Sequence, residues 1–172
     1  SPFNYDIPSD ISSSAFFITL TALSKNSSLL IKNVNINPTR IGVLTILKKM
    51  RINIKLKNIK NYKGEKIADI FVKSSKKIKS INCPVKLNSE AIDEFLLIFL
   101  IAAKAKGTSY FKNLSELNQK ESPRLKWGAK ILKKMGIENE VTENSIKIFG
   151  NPNLQINKKI ICLLYTSPSP RD

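Results

Sequence analysis

The segment Ile46-Leu47-Lys48-Lys49-Met50 recurs as Ile131-Leu132-Lys133-Lys134-Met135, and the two copies set the register in which the chain is read. Each closes a pattern of apolar residues at helical spacing: Ile41, Leu44, Leu47 and Met50 in the first, Leu125, Ala129, Leu132 and Met135 in the second. A smaller echo lies upstream, where Lys32-Asn33 recurs as Lys112-Asn113, each in a strand-like run. Around the first copy, Tyr5 to Pro8 read as the end of a strand and Ile11 to Leu23 as a helix capped by Ser9 or Asp10. Leu29 to Val34 form a strand, and Asn37-Pro38-Thr39 opens a helix from Arg40 to Met50. Strands Ile52 to Asn58 and Ile67 to Val72 follow, joined through Asn61-Tyr62-Lys63-Gly64.

The same order begins again around the second copy. Ile81 to Val85 read as a short strand, and Asn88 or Ser89 caps a helix from Glu90 to Lys106. Ser109 to Lys112 form a strand and Pro123 to Met135 a helix that Gly136 ends; Glu138 to Thr142 and Ser145 to Phe149 are strands turning at Glu143-Asn144. The sequence therefore predicts an α/β (α+β) fold of two βαβαββ units, residues 1–80 and 81–150. Each is too small to be more than marginal alone, so the two are expected to share one core. Residues 151–172 fit no third unit. Ser167-Pro168-Ser169-Pro170 continues neither a helix nor a central strand, and the stretch is read as a connection followed by a disordered or foreign tail.

Composition narrows the function. The chain has 172 residues, 42% of them hydrophobic, and a net charge of +16. Lysine supplies nearly all the positive charge and is spread through every segment. No aromatic residues interleave with a basic stripe, so a nucleic-acid-binding module is the weaker reading, and the basic field suits small polyanionic substrates better. No apolar run reaches the ~18–20 residues that span a membrane. Neither a signal peptide nor an initiating Met precedes Ser1, so the expectation is a cytoplasmic, internal piece of a longer protein. Cys83 and Cys162 have no metal or disulfide spacing. With no histidine in the chain, acid–base chemistry falls to carboxylates, lysine, tyrosine or water.

The densest charge lies in Leu117-Asn118-Gln119-Lys120-Glu121-Ser122-Pro123-Arg124-Leu125. Ser122 suits an N-cap and Pro123 the first helical position, which would set Lys120 and Arg124 beside the unpaired N–H groups of a helix start. Such a site favours an anion. Taken alone, the stretch reads more readily as a capped amphipathic helix with solvated charges.

Four stretches resemble the enolpyruvyl transferase superfamily, and within it the 5-enolpyruvylshikimate-3-phosphate synthase family. They are Ile7-Pro8-Ser9-Asp10-Ile11-Ser12-Ser13-Ser14-Ala15-Phe16-Phe17; Asn37-Pro38-Thr39-Arg40-Ile41-Gly42 with Ala68-Asp69-Ile70; Ile92-Asp93-Glu94; and Glu116-Leu117 leading into Lys120-Glu121-Ser122 with Arg124. The resemblance covers roughly residues 3 to 150, and its most specific part is Lys-Glu-Ser-x-Arg-Leu. It implies helices inside and sheets outside, with this chain supplying two of the three units of one lobe.

The resemblance also implies a reaction: transfer of enolpyruvyl from phosphoenolpyruvate to the 5-hydroxyl of shikimate-3-phosphate, with release of phosphate, on the route to chorismate and the aromatic amino acids. No metal or organic cofactor is implied, and the whole enzyme is expected to be a monomer. Asp93 matches the family's catalytic base and a shikimate-3-phosphate ligand. Glu121 matches the proton donor at the methylene carbon, Lys120 a shikimate-3-phosphate ligand, and Arg124 a clamp on phosphoenolpyruvate. Pro123 stands where the family has Asp, Asn118 where it has Arg, and Ser9 where it has Gly. The family's remaining ligands are absent from this chain, so it is expected to be inactive alone. The nearest enzyme rival is the transferase acting on UDP-N-acetylglucosamine, against which the Lys-Glu-Ser motif argues.

Overall fold

The computed structural model describes residues 8–119 and 123–154. The expected strand at Tyr5, the Ser122 cap, Lys120, Glu121, Cys162 and the terminal tail lie outside the described residues. The elements run α1 (Ile11–Leu23), β1 (Ser28–Asn35), α2 (Gly42–Lys49), β2 (Asn53–Tyr62) and β3 (Glu65–Lys73). Then come α3 (Phe95–Ala103), β4 (Gly107–Phe111), α4 (Glu116–Gln119), α5 (Arg124–Lys134), β5 (Asn139–Val141) and β6 (Ile146–Gly150). The strands make two small antiparallel sheets, ordered β1-β3-β2 and β4-β6-β5, so in both the last strand runs between the other two. An isolated parallel bridge adds a rung to the first strand of each, Ser9 with Val34 and Asn82 with Tyr110.

The core lies around α3. Every residue of this helix except Leu96 is buried, and it touches α1, α2, α5 and β6. Phe95, Phe99 and Phe111 meet there, with ring centroids 5.3 to 6.0 Å apart. Each such side chain contributes about 1.5–3 kcal/mol when fully buried, so α3 is the largest single apolar contribution to stability. The other helices turn one face toward it: Val43, Leu44, Ile46 and Leu47 of α2, and Leu125, Gly128, Ala129 and Leu132 of α5, are buried. The apolar register expected for α5 is the observed one.

The repeated Ile-Leu-Lys-Lys-Met segment is a repeated helix stop. Met50 and Met135 both occupy the C-cap position. The next residues, Arg51 and Gly136, take left-handed φ of 65° and 78°. In each copy two backbone bonds seal the last turn: Arg51 N–H to the Lys48 carbonyl and Ile52 N–H to Leu47, then Gly136 to Lys133 and Ile137 to Leu132. Buried Ile52 and Ile137 supply the apolar contact such caps favour. The Lys-Asn echo is conformational too, since Asn33 and Asn113 both have left-handed φ, 51° and 55°.

Several boundaries differ from expectation. The helix expected from Glu90 to Lys106 begins as a 3-10 turn, Ser89–Glu94, and becomes α-helical only at Phe95. One of its two expected caps, Asn88, is used elsewhere: the side-chain amide donates to the carbonyls of Lys112 and Asn113. The strand expected at Ile81 to Val85 is reduced to one bridge, Asn82 with Tyr110, because Pro84 lacks an N–H and a 3-10 turn follows at Val85–Leu87. Helix α2 starts at Gly42 and not Arg40, since Asn37 Oδ1 accepts from Thr39 N–H and holds a separate turn there. Pro123 sits at the cap of α5, one residue before the helix, where its carbonyl accepts from Trp127 N–H. The short helix α4 was not foreseen.

The first sheet carries a clip at its centre. Asp69 on β3 accepts from Asn33 N–H of β1 at 2.9 Å and from Asn58 Nδ2 of β2 at 2.7 Å. The pairing register shifts at both places, between Ile31 and Val34 and between Lys57 and Lys60. The Asn33 bond, then the Asn58 bond, holds the Asp69 carboxyl below its ordinary value of 3.8. A lowered native value means that the ionised group adds stability above the ordinary value and loses it as pH falls through the native one.

Two predictions follow from these contacts. In urea unfolding of the 172-residue chain, Gly136→Ala should cost about 1 kcal/mol while Arg51→Gly should gain several tenths, because only glycine takes a left-handed cap without strain. The Asp69→Asn variant should be less stable than the parent near neutral pH, with the difference shrinking below 3.8.

Candidate active site

The 89–94 turn packs against α1 and α2 and leads into α3. A Cβ added at Gly42 would lie 2.6 Å from Glu90 Cβ and 2.9 Å from its carbonyl carbon, so the start of α2 reaches the turn only because that residue is glycine. The turn then directs its last two carboxylates differently. Glu94 is 4% exposed, in helical register with buried Ile98 and Ile101. Asp93 keeps 45% of its side chain in solvent and faces Arg124, Nη1 to Oδ1 3.5 Å.

Arg124 is the first residue of α5, with no acidic residue in that first turn. A cation there opposes the helix dipole, which costs about 0.3–1 kcal/mol. Its exposed ion pair with Asp93 returns roughly 0–1 kcal/mol. The two terms nearly cancel, so stability does not account for this guanidinium. A guanidinium beside the unpaired N–H groups of a helix start is an arrangement that receives carboxylate or phosphate oxygens.

Beside this pair is a polar cavity of about 290 Å³ whose lining includes Ser12, Thr39, Arg40, Glu90, Asp93 and Glu94. Asp10 caps α1, accepting from Ser12 and Ser13 N–H at 3.0 and 3.2 Å, and pairs with Arg40 at 3.6 Å. The Ser12 hydroxyl donates to Glu94 Oε1. Burial pushes the Glu94 carboxyl above its ordinary range, and Asp93 and Asp10 push the same way; the Ser12 hydrogen bond and Arg40 oppose them.

Of the site residues expected from sequence, Asp93 and Arg124 are brought together, whereas Lys120 and Glu121 lie outside the described residues. Asn118 has become a structural tie, donating from Nδ2 to the Glu143 carbonyl at 2.8 Å. Glu94, Ser12 and Arg40 were not assigned roles from sequence. The signal for Glu94 was its place four and seven residues before Ile98 and Ile101. Nothing local connects it to Ser12, 82 positions away. Cys83 is buried, and burial pushes its thiol up to about 11, which makes it a poor nucleophile. Among the described residues no group of three His, Cys, Asp or Glu side chains could hold a metal ion, and no helix is long and apolar enough to cross a membrane.

Comparison with known proteins agrees on one family. A sequence model described as EPSP synthase (3-phosphoshikimate 1-carboxyvinyltransferase) matches residues 1–162. The 3-phosphoshikimate 1-carboxyvinyltransferase of Ruthia magnifica subsp. Calyptogena magnifica is 45% identical over 148 residues, covering 86% of this chain and 34% of that protein. The protein of the same name from Thermodesulfovibrio yellowstonii is 40% identical over 148 residues, with the same coverage, 86% and 34%. An EPSP synthase structure from Acinetobacter baumannii superposes with a TM-score of 0.82 at 42% identity, covering 84% of this chain and 33% of that one. The chain thus spans about a third of the length of the curated relatives it matches. A match of that extent and identity, carried by a common fold, makes this chain a member of the EPSP synthase family.

Proposed function

We propose that this chain is part of a 3-phosphoshikimate 1-carboxyvinyltransferase and forms one wall of its active site. The observation that carries the reading is the meeting of Asp93 and Arg124 at 3.5 Å, from the turn before α3 and the first turn of α5, in a chain of this family. The two side chains are 31 residues apart in sequence, one in the turn before α3 and the other at the start of α5, so only the fold joins them.

The reaction asks for opposite charges at one place. Adding the 5-hydroxyl of shikimate-3-phosphate across the double bond of phosphoenolpyruvate removes a proton from oxygen and delivers one to the methylene carbon. Expelling phosphate and a methyl proton then restores the double bond. Asp93 is assigned as the base that takes the hydroxyl proton and as a shikimate-3-phosphate contact. Arg124 is assigned to phosphoenolpyruvate, whose carboxylate or phosphate suits a planar guanidinium at a helix start. The motif assigns Glu121 to proton transfer at the methylene carbon and Lys120 to shikimate-3-phosphate. No cofactor enters this scheme. The exposed Asp93–Arg124 pair is weak enough to open when substrate anions arrive. A net charge of +16 favours the approach of polyanions.

The architecture belongs to the same proposal. Residues 1–80 and 81–150 are read as two of the three βαβαββ units of one lobe, helices inward and sheets outward, with 151–172 a connection beyond them. The matching strand orders and the matching helix stops support this division. The complete protein is read as a monomer, and as cytoplasmic because phosphorylated substrates do not cross membranes.

The test is a graft. Residues 8–150 replace the corresponding third of the Acinetobacter baumannii enzyme, and phosphate release is followed with both substrates. The graft should release phosphate only when both are present, and Arg124→Lys should raise the KM for phosphoenolpyruvate roughly tenfold or more, since a lysine gives up bidentate contact. The 172-residue chain alone should release none. A folded graft without turnover contradicts the proposal.

A further inference from the structure

Glu94 occupies a position where an apolar side chain would pack more readily. It is buried, in register with Ile98 and Ile101, and close to two further carboxylates, Asp93 and Asp10. A buried carboxyl persists where its hydrogen bond secures something an apolar residue would not. Here that bond runs to Ser12, in the first turn of α1. This turn is itself fixed, because Asp10 caps it through the N–H groups of Ser12 and Ser13 and is paired with Arg40 from the segment before α2. Glu94 therefore ties the turn before α3 to two other elements.

The residue so tied is the neighbour of Asp93, and both lie in the 3-10 turn Ser89–Glu94. Successive side chains of such a turn project about 120° apart, so fixing the direction of one fixes that of the next. We propose that Glu94 is a positioning residue: its hydrogen bond with Ser12 locks the 89–94 turn against α1 and so keeps the Asp93 carboxylate facing Arg124 and the reacting hydroxyl. The part of this inference that concerns the hydroxyl rests on the transferase reading above. The raised proton affinity of Glu94 is consistent with a linking group, because a protonated carboxyl and a hydroxyl hydrogen-bond without a net charge to desolvate.

Two measurements test it. In the 172-residue chain, the ¹⁵N–¹H signal of the Arg124 guanidinium should move in Ser12→Ala and Glu94→Ala. It should stay in place in Glu94→Gln, which keeps an oxygen for the Ser12 hydroxyl. In the grafted enzyme, Ser12→Ala and Glu94→Ala should lower kcat by roughly ten- to a hundredfold, the scale of a misplaced reacting group. KM for both substrates should change little, and Glu94→Gln should restore turnover. An unchanged kcat in Ser12→Ala overturns the inference, as does a Glu94→Gln variant as impaired as Glu94→Ala. If Glu94→Ala fails to fold, Ser12→Ala, on the half-exposed side of the bond, carries the test. If the unsubstituted graft is inactive, the transferase reading fails and the Arg124 signal decides the positioning role: a signal unmoved by Ser12→Ala overturns it.

Discussion

The burial of one nine-residue helix, Phe-Leu-Leu-Ile-Phe-Leu-Ile-Ala-Ala, is the constraint on which the rest of the structure depends. Helix α3 has no polar face to turn toward water, so other elements must cover it on every side. Helices α1 and α2 do so from one half of the chain, and α5 and β6 from the other. Two three-stranded sheets, each too small to stand alone, are thereby held around a common apolar centre. The helix ends matter as much as its length. At its N-terminal end the chain arrives through a 3-10 turn whose last residue, Glu94, is drawn into the interior while Asp93 stays at the rim. The start of α5, with Arg124, packs at the same end. Packing at that end of α3 brings Asp93 and Arg124 together.

Polar contacts at that end divide by exposure. The Asp93–Arg124 and Asp10–Arg40 pairs are open to solvent and contribute little to stability, roughly 0–1 kcal/mol each. A weak pair is useful where the partners must exchange each other for substrate oxygens. The Ser12–Glu94 bond is sheltered, and losing one partner there leaves a buried polar group unsatisfied. The rigid contact thus lies behind the exchangeable one, an order that suits a site whose geometry must survive ligand binding.

Much of this was legible in the sequence because its signals are local. The Ile-Leu-Lys-Lys-Met echo marks two helix stops, and the stop is written within the helix and the two residues after its cap. The apolar spacing of Leu125, Ala129 and Leu132 gave the buried face of α5. Of the two caps the sequence offered for α1, Ser9 or Asp10, Asp10 is the one used. What escaped reading depended on distant partners. Asn88 has the chemistry of a cap, but its amide is taken by the carbonyls of Lys112 and Asn113, the two residues after β4, and the expected helix start tightened into a 3-10 turn. Glu94 carried no assigned role, and no spacing rule links it to Ser12. Arg124 and Asp93 were found through motif resemblance, and the fold supplied what spacing could not, their contact.

The proposed site requires Asp93 and Arg124 to part for substrates while Glu94 holds its place. A crystal structure of the grafted enzyme with shikimate-3-phosphate and an inhibitor that mimics phosphoenolpyruvate tests it most directly. The Arg124 guanidinium is expected to leave Asp93 for the inhibitor's anionic groups. Asp93 would then meet the 5-hydroxyl, with the Ser12–Glu94 bond intact. Ligands bound elsewhere, with the Asp93–Arg124 pair undisturbed, would contradict it.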